Sequence, residues 1–133
     1  MVTKGYQQLM DDANARVITR TVAEAIALVH DDNYAFIDIR DRNELEDEGM
    51  VPGAFHSPRG SLEFWTDPGC PAFAPIYGDT SKHLILYCAG SWRSALATAM
   101  LQEQGYTNIS HISGGFNAWK KASGPVTNFQ RSE

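Results

Sequence analysis

The sequence predicts one α/β domain built on a central, mainly parallel sheet with helices on both faces. Three observations carry this. Short apolar runs rich in strand-forming residues (Tyr34–Ile39, His83–Tyr87, Ile109–Ile112) alternate with helical patterns. The first two are apolar over most of their length, as strands buried on both faces must be. A chain of 133 residues has the size of a single core and carries no internal repeat or linker.

In chain order, Gly5–Val17 is expected to be a helix. Thr21 and Glu24 have the spacing of a capping box, and Val22, Ala25, Ile26 and Val29 follow at helical spacing, predicting a helix over Thr21–His30. Tyr34–Ile39 reads as a buried strand that stops at the charged group Asp38-Ile39-Arg40-Asp41. A short helix over Arg42–Glu48 closes at Gly49, and Val51-Pro52-Gly53-Ala54 turns the chain into a strand near Phe55–Ser57. Gly60–Ser81 holds three prolines and no sustained period, so it is expected to be loop apart from a helical turn at Leu62–Trp65. His83–Tyr87 is the strongest strand signal and runs directly into Cys88. After a loop over Ala89–Arg93, the Ala- and Leu-rich segment Ser94–Gln104 predicts a largely buried helix stopped by Gly105. Ile109–Ile112 is a further strand, Gly114-Gly115 a turn, and Phe116–Lys121 a last helix ended by Gly124-Pro125. The tail beyond Pro125 is expected to be loose.

Composition excludes several functions. Eleven Lys and Arg against sixteen Asp and Glu give a net charge of −5 with no basic stripe, which argues against nucleic acid as a partner. No run approaches the roughly 20 apolar residues that span a bilayer, and Met1–Arg16 is polar without a signal-peptide centre, so the expectation is a cytoplasmic protein that does not engage membranes. Cys70 and Cys88 form no CxxC pair, and His30, His56, His83 and His111 are scattered. Neither a metal site nor a disulfide is suggested, and the chemistry calls for no cofactor.

Cys88 is the residue to explain. Ligands of α/β sheets bind beyond the carboxyl ends of the strands, and Cys88 lies at such an end just before a helix start, where unpaired N–H groups stabilise a thiolate or an oxyanion. Ala89, Gly90 and Ser91 are small enough for consecutive amides to turn inward, and Arg93 adds a permanent charge. Cys70, between Gly69 and Pro71, has no such setting and reads as an incidental loop residue.

The loop Cys88-Ala89-Gly90-Ser91-Trp92-Arg93-Ser94 resembles the active-site loop of the rhodanese family. Asp38-Ile39-Arg40 with Gly49-Met50-Val51-Pro52-Gly53-Ala54 resembles that family's N-terminal signature, and Gly114-Gly115-Phe116-Asn117-Ala118-Trp119 its C-terminal one. The resemblance implies a rhodanese-like domain over 19–126, with 1–18 as an N-terminal helical extension and 127–133 as a tail. It also implies a sulfurtransferase in which the Cys88 thiolate takes the outer sulfur of a small anionic donor such as thiosulfate, or of a persulfide. The resulting persulfide passes its sulfur to a thiol, a protein acceptor or cyanide. Ala89, Gly90, Ser91, Trp92, Arg93 and Ser94 would bind the donor and hold the persulfide.

The residues around the loop keep more than one reading. Asp38 either orients loop or arginine groups or serves as an ordinary turn carboxylate, Trp92 either rims the pocket or merely packs, and Arg59 near His56 either contacts a donor or is simply exposed. Two departures stand out. The family commonly has glycine where this chain has Ser91, which would cost about 1–2 kcal/mol if that position required positive φ. Met50 replaces a common histidine and is expected to be a surface change.

Two rival functions remain. Cysteine phosphatases and arsenate reductases also use a cysteine, a cradle of amides and an arginine, but with five residues between cysteine and arginine where Cys88 and Arg93 enclose four. A non-catalytic rhodanese-like binding module is the other, though such modules usually lose the cysteine.

Overall fold

The computed structural model describes residues 1–129. Among these, five parallel strands form one sheet in the order β1-β5-β4-β2-β3. They are β1 (Thr19–Arg20), β2 (Tyr34–Asp38), β3 (Phe55–His56), β4 (His83–Tyr87) and β5 (Ile109–Ile112). The helices are α1 (Tyr6–Asn14), α2 (Val22–Ala27), α3 (Arg42–Glu48), α4 (Leu62–Trp65), α5 (Trp92–Glu103) and α6 (Gly115–Lys121). No helix among the described residues is long and apolar enough to cross a membrane.

The alternation of each strand divides the core. Ile37, Leu84, Leu86, Cys88 and Ile109 face α5 and α4, where they meet Ala97, Leu101 and Leu62. Phe36, Ile85, Tyr87 and Ile112 face α2 and α6, meeting Ala25, Phe116 and Trp119. Helix α1 lies outside α5 and packs Met10 and Ala13 on Ala95 and Ala99. Alpha-helix α5 is therefore covered on both sides, which is why its sequence is small and apolar nearly all round.

Successive connections leave β2 in opposite directions, outward to β3 and back across to β4, so the sheet's switch point lies between the carboxyl ends of β2 and β4. Asp38 closes one of these strands and Cys88 follows the other. The predicted capping box at α2 is present: Glu24 N donates to Thr21 Oγ1 (3.1 Å) and Thr21 N to Glu24 Oε1 (2.8 Å).

Three expectations need correction. Helix α5 begins at Trp92, two residues early, so Trp92 and Arg93 belong to its first turn and not to the loop. Met50 is no surface residue: it is 7% exposed and its backbone exchanges two hydrogen bonds with Thr127 (2.8 and 2.9 Å). The same bridge, with Trp119 Nε1 donating to Pro125 O (2.7 Å), ties down the start of the tail that was expected to be loose. Residues 130–133 of that tail lie outside the described residues. The two-residue strand β1 and the 3-10 turns at Arg59–Ser61 and Pro75–Gly78 carry no sequence pattern and were not foreseen.

Beneath the α3 end of the sheet, Arg40 is 0% exposed and pairs with the equally buried Asp38 (Nη2 to Oδ2 2.7 Å, Nε to Oδ1 3.0 Å). Arg40 Nη2 also donates to Gly49 O (2.8 Å), and its guanidinium lies 4.2 Å from the centre of the Phe116 ring. Removing one partner of a buried pair strands the other charge. Arg40→Leu is therefore expected to cost about 3–5 kcal/mol in urea unfolding, and Asp38→Asn combined with Arg40→Leu to recover part of it. A loss below about 1 kcal/mol in the single variant would show that Asp38 is compensated by something else.

Candidate active site

Cys88 is 1% exposed, at the floor of a shallow recess of about 360 Å³ lined by Cys88–Arg93. The backbone of this loop is shaped by α6. Phe116 N donates to Cys88 O (2.8 Å) and Asn117 N to Ala89 O (3.0 Å). Gly115, at φ +54, approaches so closely that a Cβ there would stand 2.3 Å from Cys88 O and 2.2 Å from Gly90 O. Three successive carbonyls thus face α6. In trans peptides the N–H opposes the C=O, so the amides of Ala89, Gly90 and Ser91 point away from α6, on the side where the recess lies. Consecutive inward amides form an anion-binding nest. The amides of the first turn of α5 extend it, since the first intrahelical bond is Ala95 N to Ser91 O (3.1 Å).

Serine in place of the family's common glycine carries no positive-φ cost here. Ser91 adopts φ −133, ψ −12, outside the left-handed region that favours glycine. Its hydroxyl accepts from Gly114 N (2.7 Å) and so adds a further tie between the loop and α6. Gly90 is not in the left-handed region, and a Cβ there would meet nothing within 4 Å.

Arg93 lines the recess, but its guanidinium is held by Glu44 in a bidentate pair (2.9 and 3.0 Å). Glu44, from the first turn of α3, also accepts from Asp41 N (2.8 Å). The Arg93 hydrogen bonds lower the Glu44 carboxyl below its ordinary range, against the opposing effect of burial. Sequence reading missed Glu44, although the Asp-x-x-Glu spacing at Asp41 marks it as a helix cap.

Trp92 is 65% exposed at the rim, with its ring 5.2 Å from that of Tyr6. Asp38 does orient an arginine, but that residue is Arg40 and not Arg93. Arg59 pairs with Glu63 (3.0 Å), and His56 Nε2 lies 2.8 Å from Arg40 O, so neither faces the recess. Cys70 is half-buried in its loop.

Ser94 and His111 complete the setting on the buried side. Cys88 Sγ donates to Ser94 Oγ (3.6 Å), Ser94 Oγ lies 2.9 Å from His111 Nδ1, and His111 Nε2 lies 3.1 Å from Thr19 Oγ1. Burial pushes the His111 imidazole down to about 4. His111 lies on β5 between Ser110 and Ile112, and the sequence there holds no sign that it meets Ser94.

The family described as Rhodanese-like domain matches residues 21–122. A solved protein of Rhodopseudomonas palustris CGA009, described as of unknown function and a possible tyrosine phosphatase, is 43% identical with a TM-score of 0.92. The match covers 96% of this chain and 97% of that one. A thiosulfate:glutathione sulfurtransferase of Saccharomyces cerevisiae is 30% identical, over 71% of this chain and 70% of its own. A tRNA uridine(34) hydroxylase of Erwinia tasmaniensis is 31% identical over 70% of this chain, which spans only 25% of that relative's length.

Two measurements check the geometry. Gly115→Ala should lose at least about 2 kcal/mol and slow alkylation of Cys88, because a side chain there collides with backbone oxygens, whereas Gly90→Ala should leave both nearly unchanged. Equal effects would mean that α6 does not shape the loop. Glu44→Gln keeps the cap but removes the charge facing Arg93. A carboxyl with a lowered folded value contributes stability above its unfolded value and loses it as pH falls through the folded one. The variant should therefore be less stable than wild type at neutral pH, by no more than about 1 kcal/mol for this partly exposed pair, and the two should converge in acid.

Proposed function

The chain belongs to the family of rhodanese-like domains, and from that premise we propose that it is a sulfurtransferase working through a Cys88 persulfide. The observation that carries this is the thiol that follows β4 at a recess lined by Cys88–Arg93, in a loop whose carbonyls are taken up by α6. Relatives named as sulfurtransferases support it.

The Cys88 thiolate attacks the outer sulfur of thiosulfate. The new S–S bond forms as the bond to the sulfonate sulfur breaks, and sulfite leaves with that electron pair. The amides of Ala89, Gly90 and Ser91, extended by those of Trp92, Arg93 and Ser94, receive the negative charge that moves from donor to persulfide, a fixed array needing little rearrangement. A thiol, cyanide or protein acceptor then attacks the outer persulfide sulfur and restores the thiolate. Arg93 attracts the donor anion in competition with Glu44, so its charge is shared and not free. Asp38 supports the site at one remove by holding Arg40.

A phosphatase is the second reading, favoured by the description of the Rhodopseudomonas palustris protein. Against it stands the loop: four residues between Cys88 and Arg93 make a cradle too tight to surround a tetrahedral phosphate while suiting one transferred sulfur.

Incubation with thiosulfate followed by intact-mass measurement tests the proposal. Wild type and Cys70→Ser should gain one sulfur atom and turn thiosulfate and cyanide into sulfite and thiocyanate. Cys88→Ser should do neither. Efficient hydrolysis of an aryl phosphate by a protein whose mass thiosulfate leaves unchanged would replace this reading with the phosphatase.

A further inference from the structure

The recess is lined by Cys88–Arg93, whereas the side chains that Cys88 meets through hydrogen bonds are buried and do not line it. The thiol donates to Ser94 Oγ, which sits 2.9 Å from His111 Nδ1, and the far nitrogen of that ring sits 3.1 Å from Thr19 Oγ1. Cys88, Ser94 and His111 are all 1% exposed or less, while Thr19 on the edge strand β1 is exposed. An unbroken line of exchangeable protons therefore runs from the buried sulfur to solvent beside β1. We propose that Ser94, His111 and Thr19 form a proton wire that carries the Cys88 proton to water, with His111 acting as a relay residue by changing tautomer.

The donors fit one direction in the thiol state. Cys88 Sγ–H donates to Ser94 Oγ, the Ser94 hydroxyl to His111 Nδ1, and His111 Nε2–H to Thr19 Oγ1. Ser94 Oγ is also 3.4 Å from Ser91 O, a longer contact than the one to the ring. When the thiol ionises, its proton passes to the Ser94 oxygen as that oxygen's own proton passes to Nδ1. The Nε2 proton passes to the Thr19 oxygen as Thr19 releases its proton to water. Ser94 then donates to the thiolate, Nδ1–H to Ser94 and Thr19 to Nε2. One proton has left, one negative charge remains on sulfur, and every oxygen and nitrogen on the line still has a partner.

The environment of the ring suits a relay that stays neutral. Leu86 is its partner on β4, Thr19 its partner on β1, and Ser94 reaches it from α5. The neighbouring cation, Arg20, turns to the opposite face and donates to Ser110 Oγ (2.8 Å). Burial disfavours the imidazolium, holding the ring near 4, so a proton crosses the site without resting there as charge. A permanent imidazolium would instead cost desolvation at every turnover.

The wire rests on Cys88 being the working nucleophile, but its test needs no sulfur donor. Ring-nitrogen NMR on histidine-labelled Cys70→Ser protein follows the His111 tautomer while ultraviolet absorbance follows the Cys88 thiolate across pH. The Nδ1 and Nε2 resonances are expected to exchange their protonated and unprotonated positions over the pH interval in which the thiolate forms. Adding Cys88→Ser should abolish the exchange. Ser94→Ala should uncouple it, with Thr19→Val serving the same end should Ser94→Ala not fold. A ring that keeps one tautomer throughout the titration overturns the wire. A protein that shows the exchange but never gains sulfur from thiosulfate keeps the wire and loses the sulfurtransferase reading.

Discussion

The working loop depends on a single close approach, that of Gly115 to the carbonyls of Cys88 and Gly90. A backbone has one donor and one acceptor per residue, and burying either unpaired is costly. Turning the acceptors of Cys88 and Ala89 onto the N-terminal amides of α6 satisfies both partners at once and leaves the loop's own donors facing the recess. The proposed anion site is thus the reverse side of a helix cap. A side chain at 115 would separate the two elements, and the nest would lose the surface against which it is formed.

The second support is the Asp38–Arg40 pair under the switch point. Arg40 gathers the end of β2, the end of α3 through Gly49 and the ring of Phe116 on α6. A guanidinium is suited to this because it is planar, offers several fixed donors and stacks on aromatic faces. The residue that follows β4 and the residue that ends β2 therefore have different duties. Cys88 faces α5 and lines the recess, whereas Asp38 holds Arg40 and secures the frame.

The elements with local causes were legible in the sequence. The capping box at Thr21–Glu24, the apolar run His83–Tyr87 and the glycine stop at Gly49 each act within a few residues; α3 and β4 stand where their patterns lie, and α2 starts where expected but ends at Ala27, short of His30. Cys88 was identifiable as a strand-end thiol for the same reason. What remained hidden depends on distant pairings. Glu44 meets Arg93 across 49 positions, Ser94 meets His111 across 17, and Thr19 meets His111 across 92. Met50 was misjudged because it is buried and bridged through its backbone to Thr127, 77 positions later. The concern over Ser91 dissolved on backbone conformation, which residue identity alone does not determine.

The rim of the recess carries an optical consequence. Trp119 is sealed in the core and Trp65 is partly covered, while Trp92 stands in water on the first turn of α5, against Tyr6 from a helix outside the family-matched span. The three indoles thus occupy three different surroundings, and the most exposed of them lines the same recess as Cys88. On the proposed function, occupancy of the recess by an anion, or the arrival of a bulky acceptor, is expected to perturb the emission of Trp92 most, with the other two indoles as an internal reference. The protein carries its own reporter of what approaches Cys88.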